Sequence, residues 1–301
     1  MSLDDARLFH VNVNCSDLEA SRRFYTDGLG LTIGAHTAPE VAQPGAAFGL
    51  DRARWDASIL LGPRGYDGGA IDLLQWHEPT PVGAPPARIV ETGFQRLGLN
   101  VPDLDATIER VRALGGVVWS EPFGHALEGG GEIRLVLVGD PDGTAIELIE
   151  GRPTALAFVA IACADLDASL AFYLRLGFRE VARYPSENPD GSHLRIDGPV
   201  AMEEIVLSAP GAGDVLVMLV RFRTPPSTSA APRAANTLGM WRAAFLVTDL
   251  GAAVAELARG AIATISPPVE MAMGPGLPTL RFVCFRGPDN EVLELIEQPT
   301  P

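Results

Sequence analysis

Residues 10–17 read HVNVNCSD, and three further stretches built in a similar way recur along the 301-residue chain. In each copy an alternating segment, typical of a strand, leads into a short amphipathic segment, typical of a helix. The four copies end at Asp17, Asp103, Asp165 and Asp249. Seven residues before these aspartates stand His10, Arg96, Phe158 and Arg242. The chain therefore contains four repeated units that differ at this position.

The two halves of the chain also repeat each other. The stretch 140-DPDGTAIELIE-150 matches 287-GPDNEVLELIE-297. The near-constant offset predicts a duplicated domain, with residues 1–151 forming the first copy and residues 152–301 the second. The join at 151–154 is short, whereas two Pro-rich connectors, at 77–92 and 224–237, are expected to link paired units within each half.

Each unit is predicted to have the order βαβββ. Strand-like runs follow every predicted helix, and the helices are expected at residues 17–27, 103–114, 165–175 and 249–258. One such unit leaves a sheet face uncovered, so two units must curl together around a shared cavity. The sequence thus predicts an α+β fold with two cup-shaped sheets, one in each half. It leaves open whether neighbouring units form each cup or whether units are exchanged between halves or chains.

Composition excludes several classes of protein. Hydrophobic residues make up 47% of the chain and charged residues 20%, which is typical of globular domains. The net charge of −15 argues against a nucleic-acid partner, since phosphates attract Lys and Arg. No apolar run approaches the roughly 20 residues that span a bilayer. The start, MSLDDARLFH, has no signal-peptide core, so we expect a cytoplasmic location and no membrane partner.

The motifs resemble those of a known family. The pattern His-x5-Ser-Asp-Leu-x2-Ser-x2-Phe-Tyr from His10 to Tyr25, closed by the stretch 140–148, resembles the vicinal oxygen chelate superfamily. That group includes glyoxalase I, extradiol dioxygenases, fosfomycin-modifying enzymes and bleomycin-resistance proteins. The resemblance covers nearly the whole chain as a tandem four-unit member. It implies two glyoxalase-like domains, each of two βαβββ units that curl into a cup-shaped sheet.

The resemblance also implies where a metal would be held. In metal-using members the ligands come from the first and last strands of paired units. The corresponding first-half residues are His10, Asp72, Arg96 and Glu147, and those of the second half are Phe158, Met218, Arg242 and Glu294. The usual second His or Gln is thus an Arg in both halves. Phe158 and Met218 are poor ligands for a divalent ion, so the second cup is expected to be apolar and to contain an Arg242–Glu294 ion pair.

The first half is expected to form a polar cup. Strand alternation places His10 with Asn12 and Asn14 on one face. The predicted catalytic residues are His10, Asp72, Arg96 and Glu147. The predicted substrate-binding residues are Asn12, Asn14, Trp76, Asn100 and Arg242.

Two interpretations of this cup stay open. His10, Asp72 and Glu147 could bind one divalent metal ion. Against that, Arg96 would repel a cation and could bind Glu147 through both arms of its guanidinium, so a metal-free cup is favoured.

Two functions fit these residues. The first is a lyase or isomerase acting on an oxygen-rich small molecule in the N-terminal cup, with an atypical or lost metal site. The alternative is a protein of bleomycin-resistance type that binds and sequesters an antibiotic or metabolite without metal. Glyoxalase I activity is expected to be a poor fit because its four ligands are not all matched, and extradiol oxygenation requires two histidines and a carboxylate on iron. A small-molecule ligand and a monomer or homodimer are expected.

Overall fold

A computed structural model describes residues 3, 5–126, 131–211 and 213–298 of the chain. Four units follow one another, each with a first strand, a helix and further strands. Unit 1 comprises β1 (Arg7–Asn14), α1 (Leu18–Arg23), β2 (Thr32–Thr37), β3 (Gln43–Pro44), β4 (Arg52–Leu61) and β5 (Ala70–Glu78). Unit 2 comprises β6 (Gly93–Val101), α2 (Leu104–Ala113), β7 (Val117–Val118), β8 (Phe123–Ala126), β9 (Glu132–Gly139) and β10 (Ala145–Glu150).

The second half repeats this order with fewer short strands. Unit 3 comprises β11 (Ala155–Ala162), α3 (Leu166–Arg175), β12 (Arg179–Asn188), β13 (Val200–Ser208) and β14 (Leu216–Thr224). Unit 4 comprises β15 (Gly239–Val247), α4 (Leu250–Arg259), β16 (Val269–Ala272), β17 (Thr279–Arg286) and β18 (Val292–Glu297). The α+β class and the four predicted helices are confirmed, and α1 continues as a π-helical segment over Phe24–Gly28.

The repeated aspartates begin the helices. Asp17, Asp103, Asp165 and Asp249 all have extended backbones, and each side chain accepts a hydrogen bond from a backbone N–H of the following helical turn. A carboxylate in this position satisfies an unpaired N–H and interacts favourably with the helix dipole. The feature that reveals the repeat in the sequence is therefore a helix-capping residue.

The strands form two curled sheets, and each sheet draws on both halves of the chain. One has the order β16-β17-β18-β15-β1-β5-β4-β2, so it joins unit 4 to unit 1. The other has the order β12-β13-β14-β11-β6-β10-β9-β7, so it joins unit 3 to unit 2. We call the first the terminal cup and the second the central cup.

The prediction of one cup in each half is therefore wrong. The short join at 151–154 connects β10 to β11, which lie in the same sheet, whereas both Pro-rich connectors run between sheets. Units joined by a short link are the ones most readily placed side by side. The two halves on either side of residues 151–154 repeat each other in sequence, but each cup combines one unit from each half.

The largest apolar core contains all four helices and the strand faces that look toward them. Val11, Leu97, Val159 and Phe245 represent the four first strands in this cluster. Two smaller clusters occupy the other faces of the sheets, one in each cup. Across the described residues, no helix has the length and apolar character needed to cross a membrane.

Candidate active site

Four polar side chains from four strands converge in the terminal cup. His10 lies on β1, Asp72 on β5, Arg242 on β15 and Glu294 on β18. Asn12 is the register partner of Asp72, and Ala244 is the register partner of Glu294. His10 stands two residues before Asn12, and Arg242 stands two residues before Ala244, so each lies on the same strand face as that residue. Units 1 and 4 therefore place their site residues in equivalent positions.

Arg242 links the two carboxylates. Its Nη2 donates to Oδ2 of Asp72 at 2.7 Å, and its Nε donates to Oε2 of Glu294 at 2.8 Å. Arg242 is 6% exposed, and both carboxylates are 3% exposed. The Arg242–Glu294 ion pair expected from the sequence is confirmed, and it includes Asp72 as well. Charge-assisted hydrogen bonds of this length are strong and hold all three side chains in place.

His10 lies beside both carboxylates without a hydrogen bond to either. Its Nε2 is 3.7 Å from Oδ2 of Asp72 and 3.6 Å from Oε2 of Glu294, beyond hydrogen-bond length. Neither ring nitrogen of His10, nor Nη1 of Arg242, has a hydrogen-bond partner among the residues that the structure describes, although all three atoms are buried. Buried polar atoms normally have partners, so these three atoms are available to a ligand.

These residues form one wall of a cavity of about 220 Å³. Most of the remaining lining is apolar and comes from both units, and it includes Phe9, Phe48, Trp55, Ile59, Leu74, Met273, Leu277, Leu280 and Phe282. A mostly apolar pocket with a few convergent polar groups is typical of a small-molecule site.

Backbone contacts join units 1 and 4 next to the cavity. The N–H of Ala38 donates to the carbonyl of Met273, and the Gln43 side chain exchanges two hydrogen bonds with the backbone of Ala272. Thr37 and Met273 both line the cavity. The two units thus shape the cavity together, and neither half of the chain would form it alone.

The electrostatics of the site favour a protonated arginine and an ionised Glu294. Burial disfavours the charge on the guanidinium, but Glu294 and Asp72 more than offset this and raise the pKa of Arg242. Burial acts to raise the pKa of Glu294 as well, yet Arg242 and His10 together hold that pKa below its usual range. The cup therefore holds a fixed positive charge between negative ones.

The metal that the family resemblance implies does not fit this arrangement. Three of the four positions carry donors, namely His10, Asp72 and Glu294, but the fourth carries Arg242, which has no lone pair to offer. Its guanidinium occupies one oxygen of each carboxylate. Within the described residues, no group of three or more His, Cys, Asp or Glu side chains is arranged to hold a metal ion.

The structure separates the predicted catalytic set. His10 and Asp72 share the terminal cup, but Arg96 and Glu147 lie on β6 and β10 of the central cup. The predicted grouping is thus wrong, and so is the metal set that joins Glu147 to His10 and Asp72. Glu294 takes the place expected for Glu147, and Arg242 takes the place expected for Arg96.

The predicted substrate-binding residues also separate. Of the five, only Arg242 lines the cavity. The amide of Asn12 donates to Asp72, whereas Asn14 donates to two backbone carbonyls and accepts from the indole N–H of Trp76. Asn100 lies on β6 in the central cup, paired with Ala155 and Ile149.

The central cup keeps an ion pair but is otherwise different. Nε of Arg96 donates to Oε2 of Glu147 at 2.8 Å, Nη2 lies 3.5 Å from Glu204, and Nη1 donates to Gln95. The position equivalent to His10 holds Phe158, whose ring lies under the guanidinium. Phe158 packs in a buried apolar cluster with Leu194, Ile196, Met202, Val220 and Phe222.

Several relatives of the chain are named lactoylglutathione lyase. The chain is 30% identical over 184 residues to lactoylglutathione lyase GLX1 of Arabidopsis thaliana, a match that covers 58% of this chain and 56% of that protein. It is 30% identical over 149 residues to lactoylglutathione lyase of Haemophilus influenzae, covering 49% of this chain and 95% of that protein. The chain thus spans little more than half the length of the plant relative.

The fold has counterparts among solved structures. Glyoxalase I from Zea mays superposes with a TM-score of 0.67 at 18% identity, over 97% of this chain and 92% of that one. At this identity the likeness concerns the fold alone.

These relatives overturn the expectation that glyoxalase I activity is a poor fit. That expectation compared ligands within each half, which combined residues of two different cups. Relatives named lactoylglutathione lyase, at about 30% identity, point instead to activity of the glyoxalase I kind. The site departs from the family pattern at one position, where Arg242 stands in place of a metal ligand. This difference concerns whether the site holds a metal ion or a guanidinium, and it does not exclude the reaction class.

The family itself follows from both halves of the sequence. The sequence model of the Glyoxalase/Bleomycin resistance protein/Dioxygenase superfamily matches residues 7–148 and again residues 155–295. The two matches cover nearly the whole chain and agree with the duplication and the curled sheets. The chain belongs to the Glyoxalase/Bleomycin resistance protein/Dioxygenase superfamily.

Proposed function

We propose that this chain is a glyoxalase I-like lyase that moves a proton at the carbon next to a carbonyl group of a small 2-hydroxyacyl or 2-oxo compound. One observation carries the proposal. In the wall of the terminal-cup cavity, the unpartnered imidazole of His10 lies beside two buried carboxylates and the unpartnered Nη1 of Arg242. The relatives named lactoylglutathione lyase support the reaction class.

Arg242 suits the carbonyl end of such a substrate. Removing a proton next to a carbonyl places negative charge on the carbonyl oxygen, and a fixed donor aimed at that oxygen lowers the barrier. Nε and Nη2 of Arg242 are bound to Glu294 and Asp72, so the guanidinium cannot turn freely. Nη1 remains as the donor for the ligand oxygen.

His10 suits the proton transfer. Each carboxylate gives an oxygen to Arg242, whereas both nitrogens of His10 lack a partner within the described part of the chain. An imidazole can take a proton from one carbon and return it to a neighbouring one. Asp72 and Glu294 lie close enough to stabilise His10 when it carries that proton.

The apolar lining supports the same chemistry. It leaves few polar partners for water, and electrostatic interactions are stronger where water is excluded. Phe48 packs against Trp55, Trp76 and Trp241 beside the site, so the wall next to the charged residues is rigid and aromatic.

Proton exchange tests the proposal directly. The protein is incubated in D2O with a panel of 2-hydroxyacyl thioesters, including S-lactoylglutathione, and deuterium at the 2-carbon is followed by mass spectrometry. We expect enzyme-dependent exchange that falls by roughly 100-fold or more in His10→Gln, as for loss of an acid–base group. His36→Gln is the matched control, because His36 also lies beside a carboxylate, Asp56, but is exposed. Exchange that survives in His10→Gln contradicts the assigned role.

A second function is favoured by the cavity lining. The aromatic and aliphatic wall would also hold an amphipathic metabolite or antibiotic without changing it. Calorimetric binding of a panel compound that shows no exchange, with the same affinity in wild type and His10→Gln, would favour this function over the lyase.

A further inference from the structure

We infer that the guanidinium of Arg242 is a built-in substitute for a divalent cation, so that the terminal cup works without a metal and becomes a metal site when Arg242 is replaced by histidine. The inference rests on the proposed function only for the location of catalysis. Its main readout is metal binding, which is measured separately from activity.

Units 1 and 4 place their site residues symmetrically. His10 and Arg242 occupy equivalent positions on β1 and β15, and Asp72 and Glu294 occupy equivalent positions on β5 and β18. A histidine at position 242 would therefore face the site from unit 4 as His10 does from unit 1. The resulting set of two imidazoles and two carboxylates is one that borderline divalent metals accept.

The guanidinium of Arg242 bonds to both carboxylates of the site. It binds Asp72 of unit 1 at 2.7 Å and Glu294 of unit 4 at 2.8 Å. A cation that bridges two carboxylates would make the same two contacts. These contacts neutralise the repulsion between two carboxylates that are each 3% exposed. A metal entering the same place would first have to displace a charge that is already there.

His10 lies close to both carboxylates. Its Nε2 lies 3.6 and 3.7 Å from one oxygen of each carboxylate. Two ligands about 2.1 Å from a tetrahedral Zn²⁺ are roughly 3.4 Å apart. The imidazole thus lies at about the separation of two ligands on one ion from one oxygen of each carboxylate, while the guanidinium occupies both of those oxygens.

The central cup shows that an arginine at this position need not act in this way. Arg96 is equivalent to Arg242, but its Nη1 donates to Gln95, and the position opposite holds Phe158. Arg242 differs because its Nη1 is buried and unpartnered in the described structure and the residue lines a cavity. That free donor predicts a ligand with an anionic oxygen, such as a carboxylate or an enolate.

The test compares two arginine-to-histidine variants. Arg242→His and Arg96→His are purified, freed of metal with chelator, titrated with Zn²⁺ in a calorimeter and analysed for bound metal after desalting. We expect about one Zn²⁺ per chain in Arg242→His. We expect none in Arg96→His, whose cup keeps Phe158 and Met218 at the other positions, and none in wild type. A folded Arg242→His that binds no Zn²⁺ overturns the inference.

Two further outcomes keep the test decisive. If Arg242→His folds only when Zn²⁺ is present, as seen by circular dichroism, the metal has taken over the role of the guanidinium and the inference is supported. If the variant fails to fold in either condition, wild type decides. Stoichiometric Zn²⁺, Ni²⁺ or Co²⁺ on the wild-type protein, lost in His10→Gln, overturns the inference, and no bound metal supports it.

The inference and the proposed lyase activity can fail separately. Exchange activity that persists in wild type after chelator treatment supports both. Metal binding by Arg242→His without exchange in wild type leaves the inference standing and removes the lyase. Exchange in wild type that is abolished by chelator and restored by metal keeps the lyase and overturns the inference.

Discussion

The two cups share a scaffold and an ion pair but differ at the positions that face the pair. Arg242–Glu294 in the terminal cup and Arg96–Glu147 in the central cup both join Nε to Oε2 at 2.8 Å. The other two site positions hold His10 and Asp72 in the terminal cup, and the equivalent positions hold Phe158 and Met218 in the central cup. The shared pair alone therefore does not make a cup functional, and the residues opposite it decide whether its arginine and glutamate face a ligand site.

The same difference decides which cup is open. His10 and Asp72 leave room for a cavity of about 220 Å³, whereas Phe158 joins a buried apolar cluster. The residues paired with His10 and Phe158 on the neighbouring strands also differ in size. Ala244 is paired with His10, and the equivalent residue paired with Phe158 is Gly98. One cup has thus been filled for stability and the other kept open for a ligand.

Removing each arginine should show the largest difference between the cups. Arg242→Met leaves the buried carboxylates of Asp72 and Glu294 without the positive charge that neutralises them, and we expect a loss of about 3–5 kcal/mol in the free energy of unfolding. Arg96→Met should cost less, because the side chains of Glu147 and Glu204 are 12% and 13% exposed. Urea denaturation of both variants measures the difference, and equal losses would contradict the account of the terminal cup.

The next prediction concerns activity. Glu294→Gln removes a charge that holds Arg242 and faces His10, so we expect the rate of proton exchange to fall by roughly 100-fold. Glu147→Gln makes the same change to the equivalent carboxylate of the central cup and should leave the rate unchanged. An equal loss in both variants would mean that the central cup takes part in the reaction.

The sequence predicts much of this comparison but not how units pair. Alternation identifies the face of a strand on which His10 lies, and the aspartate repeat places all four helices within a few residues. Neither pattern indicates which unit lies next to which, because unit pairing depends on contacts between distant strands. The length of the connections carries that signal, since the short join at 151–154 links strands of one sheet.

The sequence predicts only part of the candidate site, because it does not indicate which units pair. The identities of His10, Asp72 and Arg242 as site positions, and the Arg242–Glu294 pair, follow from the repeat read together with the family resemblance. The presence of Glu294 and His10 in the same cup does not follow from them. These residues are 284 positions apart and meet only where β1 pairs with β15. The alternation and the repeat also do not predict the cavity, because the cavity depends on how side chains from units 1 and 4 pack together.

A third prediction concerns the clusters that join the cups. Tyr25 of unit 1 donates to Asp140 of unit 2 at 3.0 Å, and Tyr173 of unit 3 donates to Glu291 of unit 4 at 2.9 Å. Burial, with the nearby Asp142, raises the pKa of Asp140 from 3.8 to about 6, and burial, with Asp289, raises the pKa of Glu291 from 4.5 to about 7. Both carboxyls are therefore more easily protonated in the folded protein.

A raised carboxyl pKa stabilises the folded state at low pH and loses this contribution as pH rises through the folded value. Relative to Asp140→Asn, wild type should lose stability between about pH 4 and 6, by no more than about 3 kcal/mol. Relative to Glu291→Gln, the loss should extend to about pH 7. Urea denaturation across this range measures both differences, and a difference that does not vary with pH would contradict the raised pKa values.

The smallest expected effect tests how the central cup is filled. A Cβ at Gly98 would lie 2.2 Å from Cε1 of Phe158, so Gly98→Ala forces the buried ring to move and should cost about 1–3 kcal/mol. The matched change in the terminal cup, Ala244→Gly, meets no such ring and should cost only about 0.5–1 kcal/mol. Combining Gly98→Ala with Phe158→Ala should remove the clash, so the two changes together should cost less than the sum of the single losses. Additive losses would show that Phe158 does not fill the space above Gly98, and the contrast between a filled cup and an open one would then need another cause.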